Sequence, residues 1–375
     1  MRNISRARIH GLICLSVLIG ILVAGLTPFR SPKNNVQWLT NENGLSFGRY
    51  GTIWSSRPFE ATTSHDESSC SLEFWLQPGS IVSSNTILAF STPENPLQFT
   101  VLQYHALLIL QRVIQSAKDR TETIGIDGVF GHIRPVFVTL TSDAQQASIY
   151  VDGNLVRTFS PFSFGDRCTG ILVLGTSPVG NSIWRGQLRG LAIYQRELTP
   201  EQVLRQYQSW TAHGRPEISE LEKPVALYLF DEHRGSVVHN AVYPGIDLDI
   251  PNRYSLLHQK FLEPFWQEYK RVPGHWWDAL VNILGFIPLG LVFCSYWATV
   301  RSLKHAALIS VLLGFAVSLT IEVTQAYLPT RSSGTTDLIT NTLGTFLGVR
   351  LYATGVVKRM IEKLDEGLRL GRLIK

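Results

Sequence analysis

Glu322 stands inside an apolar stretch, Ala306 to Tyr327, that is long enough to cross a bilayer. A carboxylate in hydrocarbon is costly, so a chain that keeps one has a reason for it: a ligand, a proton, or a lock between helices. At a rise of ~1.5 Å per residue, Glu322 before Tyr327, Asn341 after Asp337 and Asn282 after Trp276 all fall about 6 to 9 Å below the same membrane surface. Gln325 lies one turn above Glu322. Arg331, in the following loop, can return to neutralise Glu322 or Asp337. Asn282, Glu322, Gln325, Arg331, Asp337 and Asn341 are therefore the candidate ligand-binding set. Glu322 is also the one candidate for catalysis, as a general base on a lipid-linked substrate with Arg331 stabilising negative charge. The plainer alternative is that these groups only hold helices together.

Four apolar stretches must position these groups: Ile9 to Leu26, Trp276 to Val300, Ala306 to Tyr327 and Leu338 to Val357. Ser310, Gly314, Ser318 and Glu322 repeat at four-residue spacing, and Gly344 and Gly348 repeat likewise, so small-residue faces pack the last two stretches together. Arg2, Arg6 and Arg8, then Arg301 and Lys304, then Lys358, Arg359 and Lys363 flank the stretches so that one orientation satisfies all. Both termini are expected in the cytoplasm and the region after the first helix outside. The first stretch can also be read as a cleaved signal peptide, since Ala24 and Gly25 are small, but Leu22 suits cleavage poorly, and an uncleaved anchor is preferred. The expected organisation is a cytoplasmic 1–8, a first span 9–27, an exported domain 36–251, an interfacial linker 252–275, a helical membrane region 276–357 (helices 276–300, 306–327 and 338–357), and a basic cytoplasmic tail 358–375. Within the linker, Leu257, Phe261, Phe265 and Tyr269 recur every four residues, which predicts a helix lying at the interface. His275, Trp276 and Trp277 predict an aromatic belt.

The exported region reads as all-β. Leu72, Phe74 and Leu76 alternate with Glu73, Trp75 and Gln77, and short runs of the same kind follow at 86–91, 97–103, 106–113, 135–141 and 147–151. Asp152-Gly153 predicts a tight hairpin turn. Thr199 and Pro200 predict the start of a helix whose apolar face is Val203, Leu204 and Tyr207. Ser71-Leu-Glu-Phe-Trp-Leu-Gln-Pro78, Ile149-Tyr-Val-Asp-Gly-Asn154 and Gly186-Gln-Leu-Arg-Gly-Leu-Ala-Ile-Tyr194 resemble a LamG-like, concanavalin A-type jelly roll. Val225 to Asp231, with Leu248 to Pro251, looks like the strand that usually opens such a domain, although here it comes last. The resemblance implies a glycan or protein ligand, with calcium in some relatives, yet no acidic cluster here supports calcium. Trp75 and Trp184 can pack or stack on a sugar. Cys70 and Cys168 lie in the exported region and can form a disulfide; Cys14 and Cys294 fall in apolar helices.

The 375 residues carry a net charge of +5 and a mean hydropathy of +0.08, too apolar for an ordinary soluble enzyme and too polar for an all-membrane transporter. The basic residues sit beside apolar stretches, so they read as topology signals rather than a nucleic-acid surface. No metal-ligand spacing, Walker, Rossmann or HExxH signature is present, and no cofactor is evident.

Asn282-Ile-Leu-Gly-Phe-Ile-Pro-Leu-Gly290, Ile321-Glu322-Val-Thr-Gln325, Leu328-Pro-Thr-Arg331 and Asp337-Leu-Ile-Thr-Asn341-Thr-Leu-Gly344 resemble the VanZ-like membrane family. The first helix, ending Leu26-Thr-Pro-Phe29, is similar to that family's first helix, which implies that the jelly roll is inserted after it. The fold class is thus mixed: an all-β jelly-roll sandwich plus an α-helical multi-pass membrane bundle of four helices. The resemblance implies a protein of the cytoplasmic membrane and cell envelope that binds an envelope glycan, a lipid-linked precursor or a glycopeptide, with a role in glycopeptide resistance. Two alternatives stay open: an enzyme on a lipid-linked substrate, and a membrane anchor for a glycan- or protein-binding module. Binding is favoured over catalysis.

Overall fold

A computed structural model describes residues 2–60, 69–115, 120–180, 182–218, 223–242, 245–268 and 275–355. The tail expected at 358–375, and Tyr269 of the expected interfacial helix, lie outside the described residues. The chain forms two units: Ser31–His258, and a second made of Met1–Arg30 with Gln259–Lys375.

The first unit is a sandwich of two antiparallel sheets. Its strands in chain order are β1 (Val36–Trp38), β2 (Leu45–Phe47), β3 (Ile53–Ser55), β4 (Cys70–Pro78), β5 (Ser84–Ser91), β6 (Phe99–Tyr104), β7 (Leu107–Ile114) and β8 (Arg120–Ile126), followed by β9 (Val136–Ser142), β10 (Ala147–Val151), β11 (Asn154–Phe159), β12 (Ile171–Leu174), β13 (Gly186–Tyr194), β14 (Ala226–Tyr228), β15 (Val237–Val238) and β16 (Leu248–Asp249). One sheet runs β1-β2-β13-β4-β9-β10-β11, with β14 also on β13; the other runs β15-β16-β3-β12-β5-β6-β7-β8. The alternation in β4 does what its pattern predicts: Leu72, Phe74 and Leu76 enter the core between the sheets.

The late segment takes an unusual place. β13 pairs over Gly186–Leu188 with β2 and over Leu191–Ile193 with β14, so two short strands from opposite ends of the unit share one edge. β15 and β16 extend the second sheet beyond β3. The ends of the unit meet as well. Tyr254 N donates to the Pro32 carbonyl at 3.0 Å, Asn34 Nδ2 to the Pro251 carbonyl at 2.9 Å, and Arg253 Nη1 to the Ser31 carbonyl at 2.7 Å.

Asp152 and Gly153 form the two-residue turn between β10 and β11 with φ of 49° and 77°, the left-handed pair such a turn needs. Asp152 Oδ1 accepts from Phe137 N at 3.0 Å, so this carboxylate serves its turn. Cys70 and Cys168 form a disulfide. Trp184 is not on the sandwich surface: it is 1% exposed and donates from Nε1 to Gln103 Oε1 at 2.9 Å. Trp75 is half-buried under Arg189.

Helix α1 (Arg2–Leu26) precedes the sandwich, and α2 (Pro200–His213) packs on the outer face of its first sheet. Thr199 and Gln202 close a reciprocal cap at the start of α2, with Pro200 in the first turn, and Gly214 ends it at φ 69°. The buried face of α2 is Val203, Gln206 and Trp210, while Leu204 is exposed. Of the expected face, Val203 is buried and Tyr207 packs half-buried beside it, so Leu204 alone is turned out; Trp210, one turn farther along, has a polar partner beneath the helix. That partner is Glu73, fully buried on β4, whose Oε2 accepts from Tyr194 Oη at 2.9 Å and Trp210 Nε1 at 3.1 Å, while Oε1 has no partner. Burial pushes the Glu73 carboxyl up to about 7, against the opposing pull of the Trp210 and Tyr194 hydrogen bonds.

The second unit adds α3 (Phe265–Glu268), α4 (His275–Trp297), α5 (Leu303–Gln325) and α6 (Thr335–Ala353). Among the described residues of the expected interfacial helix Phe265–Glu268 are helical, and the chain before them pairs elsewhere: Glu263 N donates to the Ser333 carbonyl and Thr335 N to the Glu263 carbonyl, both at 2.9 Å. Among the described residues three helices are long and apolar enough to cross a membrane: Arg8–Leu26, Trp276–Trp297 and Leu303–Gln325. The fourth expected span is a helix, α6, but five threonines, Asp337, Asn341 and Arg350 lower its hydropathy. Glycines set its packing. A Cβ at Gly344 or Gly348 would overlap the Ile283 or Ile287 carbonyl of α4, one at Gly290 would overlap the Thr345 carbonyl of α6, and one at Gly314 of α5 would overlap the Thr345 side chain. Helix α1 joins through Val17, Leu18, Ile21 and Leu22, which pack on Phe286, Leu289, Val317 and Ile321.

Two outcomes follow from this packing. Glu73 holds its proton more tightly folded than unfolded, so the stability of the sandwich is highest below pH 4.5, falls as pH rises and levels off above about 7. Glu73→Gln is expected to flatten this dependence and to stabilise the sandwich at pH 8 by up to about 3 kcal/mol, read from hydrogen exchange of the β4 and β13 amides. Gly348→Val is expected to force α4 and α6 apart and to cost about 1–3 kcal/mol or more. Gly285→Ala, which meets nothing within 4 Å, is expected to leave the melting temperature in detergent unchanged.

Candidate functional site

The polar end of the helical unit is built from small residues upward. Ser310, Gly314, Ser318 and Glu322 are all buried along one side of α5. Their partners climb α6 in the opposite direction: Gly314 faces Thr345, Ser318 Oγ accepts from Asn341 Nδ2 at 3.0 Å, and Glu322 Oε2 accepts from Gly334 N at 2.9 Å. Small side chains let the two backbones close in, and that closeness brings the longer polar groups within reach.

Glu322 is 1% exposed. Its environment offsets part of its cost, because Gly334 is the N-cap of α6 and the carboxylate therefore sits at the positive end of that helix. Asp337, in the first turn of α6, is favoured by the same field and accepts from Asn282 Nδ2 at 2.8 Å. Asn341 is 4% exposed, and its Oδ1 has no hydrogen-bond partner. A buried amide oxygen without a donor costs free energy and offers a place for a donor from outside the chain.

The remaining members lie toward α1. Gln325 is 8% exposed and donates from Nε2 to the Gly25 carbonyl at 2.7 Å. Arg331 is exposed and donates from Nη2 to the Thr27 carbonyl. The structure thus places the six side chains in hydrogen-bonded pairs: Asn282 with Asp337, Asn341 with Ser318, Glu322 with Gly334, Gln325 with Gly25 and Arg331 with Thr27. Sequence reasoning found the side chains and missed their backbone partners, since an amide or a carbonyl leaves no mark in residue type. It also missed Thr330, whose buried Oγ1 has no partner, and Ser333, 1% exposed, whose Oγ accepts from Leu262 N at 3.3 Å. The Ser332-Ser-Gly334 run before α6 was the available signal.

Chemically, this end of the unit offers a carboxylate held by a helix terminus, a carboxamide with an unmet acceptor and a neighbouring exposed guanidinium. Such a set suits a ligand rich in hydroxyl or amide donors. Trp276 and Trp277, 75% and 69% exposed at the start of α4, are placed to flank it with aromatic surface. Among the described residues no group of three or more His, Cys, Asp or Glu could hold a metal.

The comparisons with known proteins also fall into two parts, though not at the boundary between the two units. Residues 54–204 match the concanavalin A-like lectin/glucanases superfamily, and residues 227–358 match the VanZ/LLP1 family, the second match starting within the last strands of the sandwich. Protein VanZ of Enterococcus faecium is 34% identical over 92 residues, which cover 24% of this chain. The chain spans about half, 54%, of that relative's length. Two similar solved structures are the binding domain of botulinum neurotoxin DC in complex with rat synaptotagmin II (16% identity, TM-score 0.35, covering 47% of this chain and 46% of that one) and a native heptameric SAP-like pentraxin from Limulus polyphemus (14% identity, TM-score 0.35, covering 60% and 98%). The chain therefore carries a concanavalin A-like domain in its middle and a VanZ domain toward its C-terminus, together with helices long and apolar enough to span a membrane.

Proposed function

We propose that this protein is a cell-envelope membrane protein that binds a glycopeptide, or the lipid-linked glycan precursor to which glycopeptides bind, at the polar end of its helical unit. The observation that carries the reading is the pairing of a buried carboxylate, Glu322, with a buried carboxamide oxygen, Asn341 Oδ1, that lacks a donor. Both sit in the region that matches the VanZ/LLP1 family model, and Asn282, Gln325, Arg331 and Asp337 complete the set.

The proposed topology follows from charge. Arg8 at the head of the apolar stretch of α1, and Arg301 with Lys304 at the junction of α4 and α5, belong in the cytoplasm, which puts the sandwich and the polar end of the helices outside. Helix α6 crosses as the fourth span because Thr340, Thr345, Asn341 and the Gly344–Gly348 face are turned to its neighbours rather than to lipid. The domain limits proposed are 9–27 for the first span, 36–251 for the exported domain and 276–357 for the remaining spans. The sandwich adds a second glycan- or protein-binding surface, as its superfamily allows.

The test is teicoplanin susceptibility of a sensitive host expressing the intact chain, Glu322→Ala or Asn341→Ala at equal membrane levels. Protection by the intact chain and its loss in both variants is expected. Equal susceptibility of all strains, including the empty host, would sink the resistance role.

A further inference from the structure

Both ends of the sandwich unit leave from one end of its sheets. Strand register fixes the direction: β3 begins at Ile53 opposite Leu174, where β12 ends; Leu174 pairs with Leu88, midway along β5, and Ser84, the first residue of β5, pairs with Tyr104 at the end of β6. Asn34 is tied to Thr52, just before β3, and Tyr254 Oη is hydrogen-bonded to Thr176, just after β12. From this end the chain runs back to α1 and on to α4, two helices apolar enough to span a membrane.

The same end carries exposed apolar side chains on separate loops. Val82 is 70% exposed, Ile133 57%, Tyr104 50% and Ile81 45%. Scattered single apolar residues need no explanation, but these are gathered and held. Gln103, fully buried, donates from Nε2 to the carbonyls of Ser80 and His105 and accepts from Trp184, which fixes the β4–β5 loop against the β6–β7 turn. Phe130 N donates to the Ala106 carbonyl at 2.9 Å and brings in the loop that carries Ile133. A rigid display of this kind loses little entropy when it docks.

Charge at this end is mostly positive. Lys33, Arg49, Arg185 and Arg253 are exposed there, and none is in an ion pair among the described residues. The acids at the same end are engaged: Asp127 accepts from Gly128 N at 2.8 Å, and Asp152 meets Arg134 at 3.3 Å. Apolar tips that share one end with these cations complement an anionic lipid surface, in which the tips enter the acyl boundary and the cations meet headgroups.

We propose that the end of the sandwich bearing Ile81, Val82, Tyr104 and Ile133 is a lipid-docking surface that seats the domain on an anionic membrane face. The proposal rests on the apolar helices spanning a bilayer and not on the ligand proposed above, so the two fail separately.

The full chain, with Cys14→Ala and Cys294→Ala, is prepared with a single environment-sensitive fluorophore at Val82→Cys, Ile133→Cys or, as a control on the β9–β10 turn at the opposite end, Gln145→Cys. In nanodiscs of phosphatidylcholine and phosphatidylglycerol, acrylamide quenching at 82 and 133 is expected to be about threefold weaker than at 145. Protection is expected to fall toward the control when phosphatidylglycerol is omitted or when Lys33, Arg49 and Arg253 are together replaced by Glu. Equal quenching at all three positions in the anionic discs, or protection indifferent to both lipid charge and charge reversal, would overturn the proposal.

Discussion

Everything in the helical unit depends on how closely α4, α5 and α6 approach. In hydrocarbon there is no hydrophobic gain from bringing apolar helices together, so association relies on van der Waals fit and on hydrogen bonds between helices. Gly290, Gly314, Gly344 and Gly348 remove the side chains that would hold the backbones apart. Once the backbones are close, Ser318 reaches Asn341 and Glu322 reaches the start of α6. The costly polar groups are thus not an addition to the packing. They are tolerated because the packing supplies donors and excludes lipid.

The sandwich meets a different constraint, the need to close an edge. β13 lies between β4 on one side and a pair of short strands on the other, β2 and β14, each covering a part of its length. Neither short strand would be stable alone, yet together they cover an edge that would otherwise invite pairing with another chain. The same arrangement draws the beginning and the end of the domain to one place. On the opposite face of that sheet, α2 covers a buried carboxyl, Glu73, which is held by Trp210 of the helix and Tyr194 of β13 and so ties the helix to two strands.

Long, strongly patterned elements were legible in the sequence. β4 alternates for its whole length, α2 carries its capping residues, and α1, α4 and α5 announce themselves by apolar length. Strands of two or three residues, β1–β3 and β14–β16, carry too few positions for a period to show, and their pairing is decided by neighbours far along the chain. The four-residue repeat from Leu257 to Tyr269 is real, but backbone pairing of Glu263 with Ser333 and Thr335 takes the donors and acceptors a helix would use. At the site, Glu322, Asn341 and their companions could be found because their residue types are out of place in apolar helices. The roles of Gly334 N and of the Gly25 and Thr27 carbonyls could not, since every residue has such groups and only the fold aims them.

Ser31 and Tyr254 stand side by side, and that adjacency makes the sandwich a detachable module. A domain whose two ends are neighbours can be gained, lost or exchanged at the genetic level by a single event, without stretching the segments it interrupts. Here the domain lies between a first helix and three later ones, of which α4 and α5 pack against the first. The large inserted domain therefore places little demand on the helices, which are free to carry different domains between the same two residues.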